Sequence, residues 1–424
     1  MKTQEMRSRI TSGGLDRAFD YLYSEKAPLQ RERYEAAVGE FEKLFGAGRE
    51  VGLFSAPGRT EVGGNHTDHQ QGRVLAAGVN LDVIAVAGRN DDNVIRIQSA
   101  GFPMDTIDLS DVSVRECEKN TAASLIRGVA AKFAALGYRI GGFDAYTTSS
   151  VLKGSGLSSS AAFEVLLGAI LNQLYNGGAV SAVEVAKIAQ YAENVYFGKP
   201  SGLMDQMASS VGSVITIDFA DTENPIIEKM DFDMDAMGCA LCIVDVGGNH
   251  ADLTSEYASI PAEMKQVAGF FGRDVLRGVS YRELIANAPL LRAQFGDRAF
   301  LRAVHFVKEN ERVGAIVNAL KDKDYPLFLH LVTESGGSSY RYLQNVYANC
   351  DPKEQSMAVA LEMAEDLLNG RGAYRVHGGG FGGTTQNFVP LDLLEEFRAG
   401  IESVFGEGSC HVLSIRPFGG IQIL

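Results

Sequence analysis

Tryptophan is absent from this chain of 424 residues, and cysteine occurs only five times. Cys117, Cys239, Cys242, Cys350 and Cys410 are an odd, scattered set, which excludes a complete disulfide framework and suits a reducing cytoplasm. Cys239 and Cys242 form a CxxC inside GCALCIVDV, a strand-like run in which positions three apart face opposite sides, so they read as core residues. Basic residues are also short. The 39 Lys and Arg stand against 53 Asp and Glu, a formal charge of −14, which excludes the broad basic surface of non-specific nucleic-acid binding. A small anion stays possible, because a local pocket can be positive on an acidic protein. No run approaches the roughly twenty apolar residues of a membrane helix. The opening MKTQEMRSRITSGG lacks the apolar stretch of a signal peptide. We therefore expect a cytoplasmic monomer or homodimer with no nucleic-acid or membrane partner.

The chain is too long for one core, so two lobes are expected. Residues 15–46 read as helical, with a glycine stop at Gly46. Residues 51–55, 74–88, 94–97, 143–148, 213–219 and 239–246 read as strands, and 121–137 and 182–197 as helices. The section 256–370 is mostly helical, and the tail 411–424 alternates strand and turn. These separated elements indicate an α+β fold, with the lobe boundary near residue 213.

Three short stretches carry chemistry. SAPGRTEVGGNHTDHQQG at 55–72 places Arg59, Glu61, Asn65, His66, Asp68 and His69 on what reads as a loop between two strands. A metal cluster of His66, Asp68 and His69 is disfavoured, because ligands so close on a loop seldom reach good geometry. GSGLSSSAA at 154–162 runs straight into an apolar helix. Its small residues let backbone N–H groups approach an oxyanion at a helix N-terminus, so the loop suits phosphate. It lacks the GxxxxGK[ST] of a Walker loop. The plain alternative is a serine cap on a core helix. HGGGFGG at 377–383 matches GxGxxG, but TTQNFV after it reads as a strand, so a dinucleotide fold is rejected and a tight glycine hairpin is expected. Asp205 and Glu193, each on a helix, are ambiguous taken alone.

Together, APGR…GNHTDH, GSGLSSSAA, MDQ and GGGFGG, in that order, resemble the galactokinase branch of the GHMP kinase superfamily from about residue 36 onward. The resemblance implies a two-lobed GHMP kinase fold. Residues 36–212 would form a lobe like ribosomal protein S5, residues 213–424 a ferredoxin-like lobe, and residues 1–35 a helical extension outside it. It implies ATP and Mg²⁺ as cofactors and a small sugar as partner. Arg59 and Asp205 would flank the reacting C1 hydroxyl. Gly154, Ser155, Gly156, Leu157, Ser158, Ser159 and Ser160 would cradle the ATP phosphates, and Ser159 and Glu193 would bind Mg²⁺. Asn65, His66, Asp68, Gly202 and Tyr257 would contact the sugar, and Gly378 to Gly383 would close the site.

The implied reaction is ATP-dependent phosphorylation of D-galactose at the anomeric hydroxyl, giving α-D-galactose 1-phosphate. Two departures open alternatives. Where the family reads GRVNLIGE and GEHTDY, this chain has Glu61, Val62 and Gly63 after Thr60, then GNHTDH. Asn65 in place of glutamate removes a charge that would repel a C6 carboxylate, so a uronic-acid (galacturonate) 1-kinase is one alternative. His69 in place of tyrosine would add positive charge when protonated. The segment AASLIRG at 122–128 lacks the family's tryptophan beside adenine. A sugar-binding regulatory paralogue without turnover is therefore the other.

Overall fold

The computed structural model describes residues 1–24, 27–151, 156–247 and 253–424. Two long strands organise it, β1 (Gly52–Gly63) and β2 (Arg73–Arg89), paired antiparallel and almost wholly buried. The sequence reading puts a loop from Ser55 onward. The chain instead stays in the sheet to Gly63, with register shifts between Pro57 and Arg59 and between Glu61 and Gly63. Bulges explain the mismatch: proline and glycine, read as loop punctuation, sit where a strand bends and re-aims its side chains.

The large sheet adds β3 (Val94–Ser99), β4 (Met104–Asp108), β5 (Phe143–Ser149), β6 (Val214–Asp218) and β7 (Ile226–Met230). A second sheet holds β8 (Cys239–Gly247), β9 (Ala373–His377), β10 (Gly383–Pro390) and β11 (Cys410–Leu413), in the order β11-β8-β10-β9. The last strand, β12 (Ile421–Gln422), returns to pair with β1. The sheets therefore do not divide at residue 213. β2 is long enough to hold β5 along Val83–Arg89 and still offer Arg73–Ala77 to β6, which brings β6 and β7 into the first sheet.

Helices Ala122–Ala135, Ser159–Asn176 and Ala182–Tyr191 cover the large sheet, and their apolar faces share one core with Leu241 of β8 and Ile316 of helix Asp297–Lys321. That continuity ties the second sheet to the first. Cys239 and Cys242 face opposite sides of β8, Cys239 into this core and Cys242 against Cys410, and all five cysteines are free.

The N-terminal extension is part of this architecture. Helices Thr3–Thr11, Asp16–Tyr23 and Ala27–Phe45 bury Met6, Ile10, Phe19 and Phe41 against Leu53, Ile84 and Val86 of β1 and β2. Beneath them the fully buried Asp82 accepts hydrogen bonds from Tyr23 Oη at 2.5 Å, Arg33 Nη1 at 2.6 Å, Arg416 Nη1 at 2.9 Å and Ser55 Oγ. The carboxylate thus joins the first helices, the sheet and the C-terminal tail. Burial alone would raise its pKa, but Arg33 and Arg416 pull it below the ordinary aspartate value.

Candidate active site

Strand β1 delivers Arg59 to the junction of the two sheets, where the neighbouring Thr60 and Glu61 meet His377 and Arg375. The bulge at Pro57 turns it toward the loop before helix Ser159–Asn176, and that loop is docked by its own backbone: Arg59 N–H donates to Leu157 O at 3.0 Å. The Arg59 guanidinium then grips Asp205, in the first turn of helix Met204–Val211, through Nε–Oδ1 at 2.6 Å and Nη2–Oδ2 at 2.7 Å. Its third nitrogen donates to Gly156 O. Burial would raise the Asp205 pKa, but Arg59 first, then Lys199 and Ser158, hold it below the ordinary value. The pair expected from the sequence is assembled, with the carboxylate ionised and side-chain exposures of 6% for Arg59 and 25% for Asp205, so the aspartate is the more accessible partner.

The phosphate-type loop is described from Gly156 on; Gly154 and Ser155 lie outside the described residues. Gly156 has φ +67°, and a Cβ there would meet His377 Nδ1 and Thr384 Oγ1 at 3.1 Å each, so the loop rests directly on the β9–β10 hairpin. The serines diverge. Ser160 Oγ donates to Glu193 Oε1 at 3.0 Å. Ser159 was the expected metal partner, yet the hydroxyl beside Glu193 is one position further on. A helix turns about 100° per residue, so one position moves a side chain to a different face.

Glu193 sits in a π-helical turn, Ala192–Phe197, continuing helix Ala182–Tyr191. It is buried, accepting from Ser160 and Lys199 Nζ on Oε1 and from Gln206 Nε2 on Oε2 at 2.7 Å. Gln206 also reaches Glu164 Oε2 at 3.2 Å. Burial, then the neighbouring Glu193 charge, push the Glu164 pKa well above its ordinary value. The sequence reading missed Lys199, Glu164 and Gln206. Glu164 left a signal, a single acid in the apolar helix AAFEVLLGAIL.

The turn after β1 carries Asn65, His66 and Asp68, while Gly202 and Tyr257 come from other segments. Asp68 lies against Gly202 so closely that a Cβ on the glycine would sit 1.7 Å from Asp68 Oδ2. His66 donates from Nε2 to Gly379 O at 3.0 Å, which leaves Nδ1 for another partner. Burial lowers its pKa to about 3, so the ring is neutral. Tyr257 donates to Gly380 O at 2.8 Å and stands edge-on to Phe381, with ring centroids 5.3 Å apart. The hairpin HGGGFGG, read as a tight glycine turn, is one: β9 and β10 pair on either side, and Gly379 and Gly380 are pressed against the Tyr257 ring and Asn345 O.

Asn65 departs from expectation. It is fully buried. Its Nδ2 donates to Glu61 Oε1 at 3.0 Å and Gly378 O at 2.7 Å, and its Oδ1 accepts from Asn345 Nδ2 at 2.8 Å and Ser339 Oγ at 3.3 Å. All four of its hydrogen-bonding positions are engaged, which leaves none for a sugar hydroxyl. Glu61 in turn binds the buried Arg375 Nη2 at 2.5 Å.

Comparison with known proteins places this geometry. The galactokinase galactose-binding signature matches residues 39–89, and the N-terminal domain of GHMP kinases matches residues 124–213. The chain is 32% identical over 375 residues to the galactokinase of Streptomyces coelicolor, covering 88% of this chain and 94% of that protein. It is 30% identical over 407 residues to the galactokinase of Homo sapiens, covering 92% and 96%. The crystal structure of Lactococcus lactis galactokinase complexed with galactose is similar with a TM-score of 0.79 and 25% identity, over 91% of this chain and 98% of that one. By fold, signature and identity over most of its length, the chain belongs to the galactokinase family of the GHMP kinase superfamily.

Proposed function

We propose that this chain is an ATP-dependent galactose 1-kinase that moves the γ-phosphoryl group of ATP to the anomeric hydroxyl of D-galactose. The observation that carries the reading is the bidentate Arg59–Asp205 pair beside the loop at Gly156. Phosphoryl transfer passes through a loose transition state in which the attacking hydroxyl keeps its proton until late. A strong base is therefore unnecessary. An ionised Asp205 orients the sugar C1 hydroxyl by accepting its hydrogen bond and takes the proton as the new O–P bond forms. Arg59 keeps Asp205 ionised. On the sugar, Asp68 accepts from the O3 and O4 hydroxyls, His66 presents Nδ1, and Gly202 gives Asp68 room. Tyr257 and the hairpin Gly378 to Gly383 close the far side.

For Mg²⁺, the donors present fit a hard cation: Ser160 Oγ and Glu193 are oxygens, and two buried oxygens behind them, Glu164 Oε1 and Gln206 Oε1, have no hydrogen-bond partner among the described residues. We assign Ser160 and Glu193, in place of Ser159, as the metal-side ligands. When bound, the ion neutralises charge on the phosphates. The loop from Gly156 to Ser160 and the helix that follows offer the nucleotide phosphates backbone N–H groups and a positive dipole. Free thiols at all five cysteines support a cytoplasmic location.

The uronate alternative loses its physical basis here. Asn65 spends its hydrogen-bonding positions on Glu61, Gly378, Asn345 and Ser339, so it offers a uronate carboxylate no donor. The test is ADP release with ATP and Mg²⁺ on separate D-galactose, D-galacturonate, D-glucuronate and N-acetylgalactosamine. Turnover on galactose and not on the uronates is expected. Preference for a uronate would overturn the substrate assignment, and sugar binding without turnover on any of them would establish the regulatory alternative.

A further inference from the structure

The turn that carries Glu193 also carries a cation with no role in the scheme above. The backbone N–H groups of Gly198 and Lys199 both donate to the Glu193 carbonyl, at 3.0 and 3.1 Å, which fixes Lys199 beside the acid. Its Nζ lies 3.0 Å from Glu193 Oε1, the same oxygen that accepts from Ser160. Asp205 is close enough that the two opposite charges stabilise each other. Arg59, the other cation of the site, is committed through all its terminal nitrogens to Asp205 and Gly156 O. Among the described residues Lys199 makes one ion pair, keeps 57% of its side chain exposed, and so has room to move.

Two cations on one carboxylate oxygen repel strongly at these distances. An ammonium and a metal ion therefore compete for Glu193 Oε1. We propose that Lys199 is a phosphate-binding residue that stands in for the metal: it neutralises Glu193 in the empty site, turns to the ATP phosphates when ATP arrives without metal, and gives up Glu193 when a metal binds there. A flexible four-carbon stem ending in a compact charge suits such a swing better than a planar guanidinium. The proposal rests on the reading of this cleft as an ATP site. It differs from a purely structural ion pair in predicting two effects of opposite sign when the ammonium is removed.

The test uses the full chain and Lys199→Met, of similar length without charge. ATP binding is measured by calorimetry in EDTA, and Mn²⁺ binding to the nucleotide-free protein by electron paramagnetic resonance. In K199M, ATP in EDTA should bind about tenfold more weakly, the size expected for one charge-assisted hydrogen bond. Mn²⁺ should bind at least about threefold more tightly, since its competitor is gone. Lys199→Arg keeps the charge and should bind ATP in EDTA more tightly than K199M, which guards against misfolding as the cause. Unchanged ATP affinity in EDTA, or unchanged or weaker Mn²⁺ binding in K199M, would overturn the proposal. So would a wild-type chain that binds no ATP in EDTA. Neither readout needs sugar, so a chain that passes both but does not phosphorylate galactose would count against the galactose assignment alone.

Discussion

Glu61 and Asn65 share a buried hydrogen bond, Asn65 Nδ2 to Glu61 Oε1 at 3.0 Å. Against the family pattern GRVNLIGE, the acid and the amide have exchanged places across that contact. The Glu61 charge is matched by Arg375 alone among its direct contacts, so the site holds one carboxylate and not two. Asn65→Glu therefore adds an uncompensated buried acid and should destabilise the chain by about 3–5 kcal/mol. The double variant Glu61→Asn with Asn65→Glu should recover most of that loss, with a coupling of at least about 1 kcal/mol in a double-mutant cycle by chemical denaturation. Additive losses would mean that the two positions are independent.

Asp205→Asn keeps the shape of the Arg59 contact and removes the charge. Its kcat should fall by at least about 10³-fold, with galactose binding, followed by calorimetry, within about threefold of wild type. Near-normal turnover would remove Asp205 from the transfer step.

The Arg59 charge holds the Asp205 pKa down against burial. Without it burial wins and the pKa rises. Wild-type kcat should therefore show no acid limb from Asp205 above about pH 5, because the group is already ionised there. The residual activity of Arg59→Met should acquire one, rising with pH as Asp205 ionises. Parallel pH profiles for the two proteins would contradict this account.

Gly202→Ala places a methyl 1.7 Å from Asp68 Oδ2, far inside any non-bonded contact. The Asp68 carboxylate must move, so the KM for galactose should rise by about tenfold or more, the scale of one charge-assisted hydrogen bond. The KM for ATP should change little. An unaltered galactose KM would exclude Asp68 from sugar binding.

Glu309 is fully buried and accepts from Gly64 N–H at 3.0 Å, Ser335 Oγ and Arg312. Burial opposes its ionisation, but Arg312, His305 and Arg375 bring its pKa from an ordinary 4.5 to about 2. A depressed carboxylate pKa stabilises the fold fully above the unfolded value, and that contribution is lost as pH falls through the folded value. Glu309 should thus stabilise by on the order of 3 kcal/mol at neutral pH and lose this between about pH 4.5 and pH 2. The stability gap between wild type and Glu309→Gln in urea titrations should narrow steadily over that interval. A constant gap would show that the charge is not its source.

Local pattern determined much of this protein. Helices such as Ala122–Ala135 and Ser356–Leu368, strand β5 and the glycine hairpin all follow from short-range periodicity and turn chemistry. The motif residues Arg59 and Asp205 were legible only through the resemblance of APGR and MDQ to the family's motifs, since Asp205 taken alone stayed ambiguous. Tertiary structure decided the rest. β1 was hidden because proline and glycine signal loops unless a partner strand fixes bulges around them, and that partner, β2, lies across the turn. The assignment of Ser160 over Ser159 depends on helix phase, which a run of identical serines does not reveal. Asn65 reads as a sugar ligand in isolation, yet the groups that engage it, Gly378, Ser339 and Asn345, come from more than 270 positions away. Lys199 looks like a solvated turn residue until the turn folds its ammonium onto Glu193. Sequence fixed which groups this protein carries. Which of them face the cleft and which hold one another depends on contacts between distant segments, which no local pattern encodes.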